Sequence, residues 1–224
     1  MAAHRVIAID GPAASGKSSV AQELAKRLGY VYVNSGAMYR AVTWHVLDRN
    51  VDPADSAAVT ELIEDSQIEC DLEQNESRIL IDGNNPAEHL RDVRVNSGVS
   101  LVSSVPRVRE LLVARMRAYA ACHDVVMEGR DIGSVVFPET PFKFYIDASP
   151  EIRSRRRAAQ GQADQIAARD QADSSRQDSP LTVAAEAEVI DSSHLSIAGV
   201  VEQIVERLKA KNVSAATETD PSPR

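Results

Sequence analysis

Cysteine is scarce in this chain of 224 residues, which contains only Cys70 and Cys122. The two stand far apart without a C-x-x-C pattern, so we expect reduced, structural cysteines rather than a disulfide framework. Histidine is also sparse. The five histidines are not spaced like the ligands of a zinc site: His4, His45, His89, His123 and His194. The sequence therefore predicts no zinc site.

Long hydrophobic runs and an excess of positive charge are missing too. Only a few apolar residues precede Asp10, so we expect neither a signal peptide nor a membrane span, and a cytoplasmic location. A net charge of −8 argues against general nucleic-acid binding, because such proteins carry a broad basic face. No oligomer interface is evident, so we expect a monomer that binds small molecules.

The chain alternates strand and helix patterns, which predicts an α/β fold with a parallel sheet. Its predicted strands are 5–9, 30–33, 125–128, 143–148 and 187–191, and its predicted helices include 17–28, 36–47, 107–122 and 196–211. Ser149 and Pro150 are typical of a helix start. Between 67 and 82 the pattern changes to an antiparallel hairpin, inserted into the alternating order.

The stretch "GPAASGKS" is the strongest local signal. It matches G-x-x-x-x-G-K-[ST] between a strand and a helix, the context of a phosphate-binding P-loop. Lys17 is expected to contact the β and γ phosphates of a nucleotide, and Ser18 to hold Mg²⁺. The predicted ATP-binding residues are Gly11, Pro12, Ala13, Ala14, Ser15, Gly16, Lys17, Ser18 and Ser19.

A P-loop leaves two classes open, a small-molecule kinase and a GTP-dependent switch. The switch needs a guanine-reading N-K-x-D element, and the sequence has none. The kinase needs a second site for an anionic acceptor. Arg40, Arg107 and Arg109 lie near predicted helix starts, and "RDQADSSR" places Arg169 and Arg176 seven residues apart, on one side of a helix with Asp173. Each arginine alone has a solvated surface role as its simpler explanation, but their accumulation favours the kinase.

Three charges in "VVMEGRDIGSVVF" lie between apolar runs: Glu128, Arg130 and Asp131. These side chains could form salt bridges with one another, as buried ions usually do, or they could bind a charged ligand at the end of a strand. Tyr39 and Arg40, in the first turns of the helix after the second strand, are expected to project toward the same edge of the sheet.

Six motifs together resemble a known family: "IDGPAASGKSS", "NSGAMYRAV", "VPRVRE", "EGRDIGSVVFP", "IDASPEIRSRRR" and "RDQADSSR". In this order and spacing they are similar to bacterial cytidylate kinase, the (d)CMP kinase of the nucleoside monophosphate (NMP) kinase family, over roughly residues 5–210. The resemblance implies a five-stranded parallel sheet flanked by helices, a small inserted β subdomain that binds the monophosphate, and a short helical lid. It implies one domain over 1–224, divided into a core (4–34, 107–150 and 178–211), an NMP-binding region (35–106), a lid (about 153–176) and a frayed tail (212–224).

The resemblance also implies an acceptor site. Ser35, Arg109 and Asp131 match positions that contact cytosine, and Arg40 and Arg130 match positions that hold the acceptor phosphate. Ser100, Arg169 and Asp173 match ribose contacts, and Arg176 matches a phosphate-directed arginine. The stretch 158–168 contains no Lys or Arg, so the lid candidates are Arg153, Arg155, Arg156 and Arg157.

The implied reaction is transfer of the γ-phosphoryl group of ATP to CMP or dCMP, with Mg²⁺. Its catalytic residues would be Lys17, Arg40, Arg130, Arg153 and Arg157. Asp10 and Glu128 are the candidate carboxylates behind the Mg²⁺ ligands, and the sequence does not rank them. The alternatives are a UMP-preferring monophosphate kinase and, from another class, the GTP switch.

Overall fold

Parallel strands form the centre of the molecule. The computed structural model describes residues 4–159, 170–171, 173–174, 179 and 181–213. The strands are β1 (Val6–Asp10), β2 (Val31–Asn34), β3 (Ile68–Glu73), β4 (Glu76–Ile81), β5 (Val125–Gly129), β6 (Phe142–Asp147) and β7 (Glu188–Asp191). The α-helices are α1 (Lys17–Leu28), α2 (Ser35–Asp48), α3 (Ser56–Glu64), α4 (Val93–Val102), α5 (Pro106–Cys122), α6 (Pro150–Ala159) and α7 (Ile197–Ala210). A 3₁₀ turn covers Ala87–His89, and a π turn covers Ile132–Val136.

The order of strands is β3-β4-β2-β5-β1-β6-β7. β2, β5, β1, β6 and β7 are all parallel, as predicted for the core. The predicted hairpin is confirmed as the antiparallel pair β3 and β4. It joins the edge of the core through one parallel pair, Tyr32 with Glu76, so the sheet of the described residues has seven strands instead of the five expected.

Both faces of the sheet are covered by helices. Along β1, Ile7 and Ile9 pack with α1 and α7 on one face, while Val6 and Ala8 contribute to the core on the other face, where α2 and α5 lie. Because a central parallel strand is buried on both sides, it appears in the sequence as an unbroken apolar run. None of the helices in the described ranges has the length and apolarity needed to cross a membrane.

The helix boundaries follow local sequence signals. α1 ends as predicted at Gly29, which adopts a left-handed conformation with φ of 70° and donates its N–H to carbonyls of the last turn. At the start of α2 the cap is Asn34, whose Oδ1 accepts a hydrogen bond from the N–H of Ala37 at 2.9 Å. Ser35 is the first residue of α2 and donates its hydroxyl to the carbonyl of Glu128.

Two helices and the residues directly after α7 differ from the sequence prediction. α3 and α4 were not predicted, although Asp55 caps α3 by accepting from the N–H groups of Ala57 and Ala58. The tail was expected to fray from residue 212. Val213 is instead buried in the core beside α7, with its N–H bonded to the carbonyl of Leu208.

His45 connects α2 to the hairpin region. Its ring is buried, and its Nε2 lies 2.8 Å from the hydroxyl of Ser66, which itself donates to the carbonyl of Leu62. With the serine proton directed to Leu62, a proton on Nε2 of His45 completes the pair. Burial is the largest cause of a lowered pKa of His45, and the carboxylate of Asp82, 3.8 Å from Nε2, opposes the shift.

We therefore expect acid to destabilise the protein through His45. The folded-state pKa lies below the unfolded value of 6.5, so this stabilisation is complete above 6.5 and is lost as the pH falls toward the lowered pKa. His45→Gln should flatten the dependence of the unfolding free energy on pH between about pH 7 and pH 5. Urea denaturation across that range measures it, with the exposed His194→Gln as control. Parallel pH profiles for wild type and His45→Gln would contradict the assignment.

Candidate active site

A cleft opens at the carboxyl edge of the sheet, where β1, β2 and β5 end. Parallel strands bring their carboxyl ends together, so the segments after these strands meet there. The cleft is lined by Ala13, Ala14, Gly16, Lys17, Ser18, Ser19, Asn34, Ser35, Gly36, Tyr39, Arg40, Val99, Ser103, Arg109, Glu128, Gly129, Arg130, Asp131, Arg157 and Asp173.

The loop between β1 and α1 forms one wall of the cleft. Gly16 is the cap of α1 and has φ of 91°, a left-handed conformation that glycine adopts without strain. Lys17 is buried with its Nζ 3.0 Å from the carbonyl of Pro12. The loop therefore presents a helix N-terminus and an ammonium group to the cleft, a combination that attracts phosphate.

The opposite wall carries a buried ion pair. Arg109, from the first turn of α5, donates its Nη2 to the carboxylate of Asp131 just beyond β5. Both side chains are buried, and the guanidinium lies 5.7 Å from the centre of the Tyr39 ring. The pair gives the wall one acceptor and several donors in a fixed arrangement.

Two further arginines lie between these walls. Arg130 donates its Nε to the carboxylate of Asp173 at 2.8 Å, and Asp173 is 2% exposed. Arg40 donates its Nη1 to the carbonyl of Gly36 at 2.8 Å, in the first turn of α2. Both arginines line the same cleft as Lys17 and Ser18 of the phosphate-binding loop.

The arginines of α6 have different positions. Arg153 is buried and donates to the carbonyls of Ala148 and Ala13, and it also pairs with Asp170. Arg156 donates to the carbonyl of Ser15 and to Ser192 after β7. Arg157 lines the cleft. Arg153 and Arg156 thus tie α6 to the back of the P-loop, and Arg157 faces the space where ligands would lie.

Asp10 and Glu128, the two carboxylates expected behind the Mg²⁺ ligands, have different surroundings. Glu128 lines the cleft and is buried, with its Oε1 accepting a hydrogen bond from the hydroxyl of Tyr32 at 2.8 Å. Asp10 does not line the cleft, and its two oxygens accept from the backbone N–H groups of Ile132 and Gly133. Burial raises the pKa of Asp10 to about 6, while these two hydrogen bonds oppose the rise.

Most of the predicted site residues lie at the cleft, and the exceptions have identifiable positions. Gly11, Pro12, Ser15, Ser100, Arg153 and Asp10 are not among the lining residues, and Arg169 and Arg176 lie outside the described residues. Sequence reasoning missed five lining residues: Asn34, Gly36, Val99, Ser103 and Gly129. Ser103 lies one turn beyond Ser100 at the end of α4, a helix whose bounds were not predicted.

Similarity to known proteins identifies the family of this chain. The family model described as cytidylate kinase matches residues 7–210. The chain belongs to the cytidylate kinase family. A protein named cytidylate kinase from Pelotomaculum thermopropionicum is 44% identical, covering 91% of this chain and 96% of its own. A namesake from Caldanaerobacter subterraneus subsp. tengcongensis is 42% identical, covering 91% and 94%, and one from Geobacillus kaustophilus is 44% identical, covering 89% and 94%.

Membership of the cytidylate kinase family makes this protein a kinase, and the expectation drawn from the motifs is confirmed. It also confirms the fold class, because the mostly parallel sheet, the flanking helices and the P-loop are those of a P-loop kinase. Similarity thus gives the family, and the structure gives the positions of the side chains around the cleft.

We predict that the P-loop depends on the absence of a side chain at Gly11. A Cβ there would lie 2.1 Å from the carbonyl oxygen of Ile146 in β6, so the backbone would have to move. Gly11→Ala should lower the free energy of unfolding by at least about 2 kcal/mol. Urea denaturation measures the loss.

Gly83→Ala is the matched control, because Gly83 has φ of +75° but no atom lies within 4 Å of the position that a Cβ would take. It should cost only the conformational strain, about 1 kcal/mol. Equal losses in the two variants would show that the contact with Ile146 is unimportant.

Proposed function

We propose that this protein transfers the γ-phosphoryl group of ATP to CMP or dCMP, giving CDP or dCDP and ADP. The observation that carries the proposal is the cleft, in which a phosphate-binding loop faces a buried arginine–aspartate pair with more arginines between them. Relatives named cytidylate kinase support the choice of acceptor. Of the alternatives, the GTP switch gains no support, because the family is one of kinases.

Recognition of the base would use Asp131, Arg109 and Ser35. Cytosine carries an exocyclic amino group beside a ring nitrogen that accepts, so a carboxylate and a guanidinium complement it. Uracil presents a carbonyl oxygen where cytosine has the amino group, and the Asp131 carboxylate would repel it. A buried polar group left unpaired costs about 1 to 3 kcal/mol, so the wrong base is penalised.

The acceptor phosphate would bind Arg40 and Arg130, with Arg176 directed to phosphate and Ser100, Arg169 and Asp173 at the ribose. The phosphate is already an anion and needs no general base, so the obstacle is bringing two anions into line. Lys17, Arg40, Arg130 and Arg157 would neutralise them. Arg153, held by the carbonyls of Ala13 and Ala148, supports this role by fixing α6 against the P-loop.

Mg²⁺ fits the oxygen atoms at the donor side of the cleft. Ser18 and Glu128 both line the cleft, and Mg²⁺ prefers hard oxygen ligands, few of them from the protein. Ser18 would bind the ion and Glu128 would hold its surrounding water. Bound there, the ion would neutralise charge between the β and γ phosphates.

The organisation of the chain is part of the proposal. One kinase domain would contain the NMP-binding region at 35–106 and a lid at about 153–176, which closes to exclude water during transfer. The enzyme would act in the cytoplasm as a monomer on nucleotides, without nucleic acid or membrane.

We predict that Lys17 is needed for turnover. Lys17→Met keeps the apolar stem of the side chain and removes the charge that would stabilise the transferring phosphoryl group. In a coupled assay with ATP and CMP, kcat should fall by about a hundredfold or more. Lys26→Met, an exposed change on the same helix, is the control and should leave kcat unchanged. Near-normal turnover of Lys17→Met would refute the proposed role of the P-loop.

We predict that Asp131 selects the base. Asp131→Asn replaces one carboxylate oxygen by a donor, so the ratio of kcat/KM for CMP to that for UMP should fall by about ten- to a hundredfold. The assay compares CMP, dCMP, UMP and AMP with ATP as donor. Asp71→Asn, which alters an exposed aspartate paired with Arg78, is the control. An unchanged ratio in Asp131→Asn would remove Asp131 from the base site, and a wild type that prefers UMP would favour the alternative kinase.

A further inference from the structure

Asp10 makes a contact that the proposed chemistry does not use. It is the last residue of β1, 4% exposed, and directly precedes the P-loop. Its Oδ1 accepts from the N–H of Ile132 at 2.9 Å, and its Oδ2 accepts from the N–H of Gly133 at 2.8 Å. A single carboxylate thus binds two successive backbone donors that are distant from it in the sequence.

The bound donors begin the π turn that follows Asp131. Asp131 is the residue before Ile132, and its carbonyl accepts from the N–H groups of Val135 and Val136 in the same turn. The Asp131 backbone is therefore held from both sides. Its carboxylate then pairs with Arg109, so a hydrogen-bonded chain runs from Asp10 through the backbone to the base-reading pair.

Close packing fixes this arrangement. A Cβ on Gly133 would lie 3.2 Å from Cγ of Lys143 and 3.4 Å from Oδ2 of Asp10, so the residue sits between the two side chains. Lys143 is itself buried and donates its Nζ to the carbonyl of Pro138 at 2.6 Å. The turn consequently has little room to shift when the carboxylate is in place.

We propose that Asp10 is a positioning residue that holds Asp131 in the orientation needed to read the base of the acceptor. This inference rests on the proposed function, and it distinguishes Asp10 from Glu128. Both oxygens of Asp10 already bind backbone donors and the side chain is not exposed to the cleft, whereas Glu128 lines it. Asp10 therefore acts on the acceptor site, although it adjoins the donor loop in sequence.

Asp10→Asn tests the proposal. The variant keeps the shape of the side chain but replaces one acceptor oxygen by an amide NH₂ group, which faces a backbone N–H and cannot accept its hydrogen bond. The ratio of kcat/KM for CMP to that for UMP should fall about tenfold. The KM for CMP should rise, and the KM for ATP should change by less than about threefold. Circular dichroism and a thermal melt check that the variant is folded.

Ser192→Ala is the matched control at the back of the P-loop. Its hydroxyl donates to the carbonyl of Ser15 at 2.7 Å and accepts from Nη1 of Arg156 at 3.0 Å. Because both partners belong to the P-loop and α6, the loss of this hydroxyl should affect the donor side and leave the CMP-to-UMP ratio unchanged.

A double-mutant cycle separates positioning from a general loss of packing. If Asp10 acts through Asp131, the variant with both Asp10→Asn and Asp131→Asn should have the same CMP-to-UMP ratio as Asp131→Asn alone. If Asp10→Asn does not fold, Gly133→Ala replaces it, because the added methyl group crowds the contact while Asp10 is unchanged. It should lower the ratio in the same direction.

The outcomes are distinguishable. A fall in the ratio that disappears in the Asp131→Asn background supports the proposal. An unchanged CMP-to-UMP ratio in Asp10→Asn overturns the proposal, and so does an additive effect in the double variant. A rise confined to the KM for ATP also overturns it, because that result assigns Asp10 to the donor side. Failure of the wild type to phosphorylate CMP would refute the proposed function instead, and the same assay shows it first.

Discussion

Three arginines at or beside the cleft are paired with carboxylates in the described part of the chain; Arg109 and Arg153 are buried and Arg130 is half-buried. Arg109 with Asp131, Arg130 with Asp173 and Arg153 with Asp170 each join segments that are distant in the sequence. A buried charge without a partner destabilises the fold by several kcal/mol. The pairing therefore allows cations to accumulate beside the P-loop before any anionic ligand is bound.

The pairs differ in what a ligand would do to them. Asp131 is held through its backbone, so its pair with Arg109 can persist as a fixed recognition surface. Asp173 lies on another segment and binds Arg130 through a side-chain contact. In the proposed reaction, an acceptor phosphate at Arg130 must share or replace that contact. A phosphate has the charge to do so, because arginine binds phosphate through strong, charge-assisted hydrogen bonds.

The fold was largely predictable because its signals are local. The apolar runs of β1 and β5, the glycine after α1 and the P-loop spacing each report a neighbouring stretch of chain. The five parallel strands and the hairpin were predicted, but not that the hairpin joins the sheet, because β4 is attached through one pair, Tyr32 with Glu76, which no periodicity reveals. α3 and α4 went unpredicted although Asp55 is a strong cap.

The sequence predicted many of the residues that line the cleft, but fewer of the hydrogen bonds that hold them. The P-loop and the motif after β5 could be recognised by residue type and spacing, so Lys17, Arg130 and Asp131 were identified from the sequence. Which arginine of "RSRRR" faces the cleft depends on helix phase and on the partners at the back of the loop. Sequence spacing gives the phase of α6, but not the carbonyls of Ala13 and Ser15 that bind Arg153 and Arg156.

The hydrogen-bond partners of Asp10 were also missed, because sequence spacing does not reveal contacts between distant segments. In the sequence it is one more residue before a glycine, and its position beside the P-loop suggested a role with the metal. The parallel pairing of β1 with β5 places Asp10 opposite Gly129, two residues before Asp131. Because adjacent strands end in register at this edge, the side chain of the last residue of β1 reaches the backbone of the segment after β5. The strand order thus brings a carboxylate that adjoins the P-loop within hydrogen-bonding distance of the turn that follows Asp131.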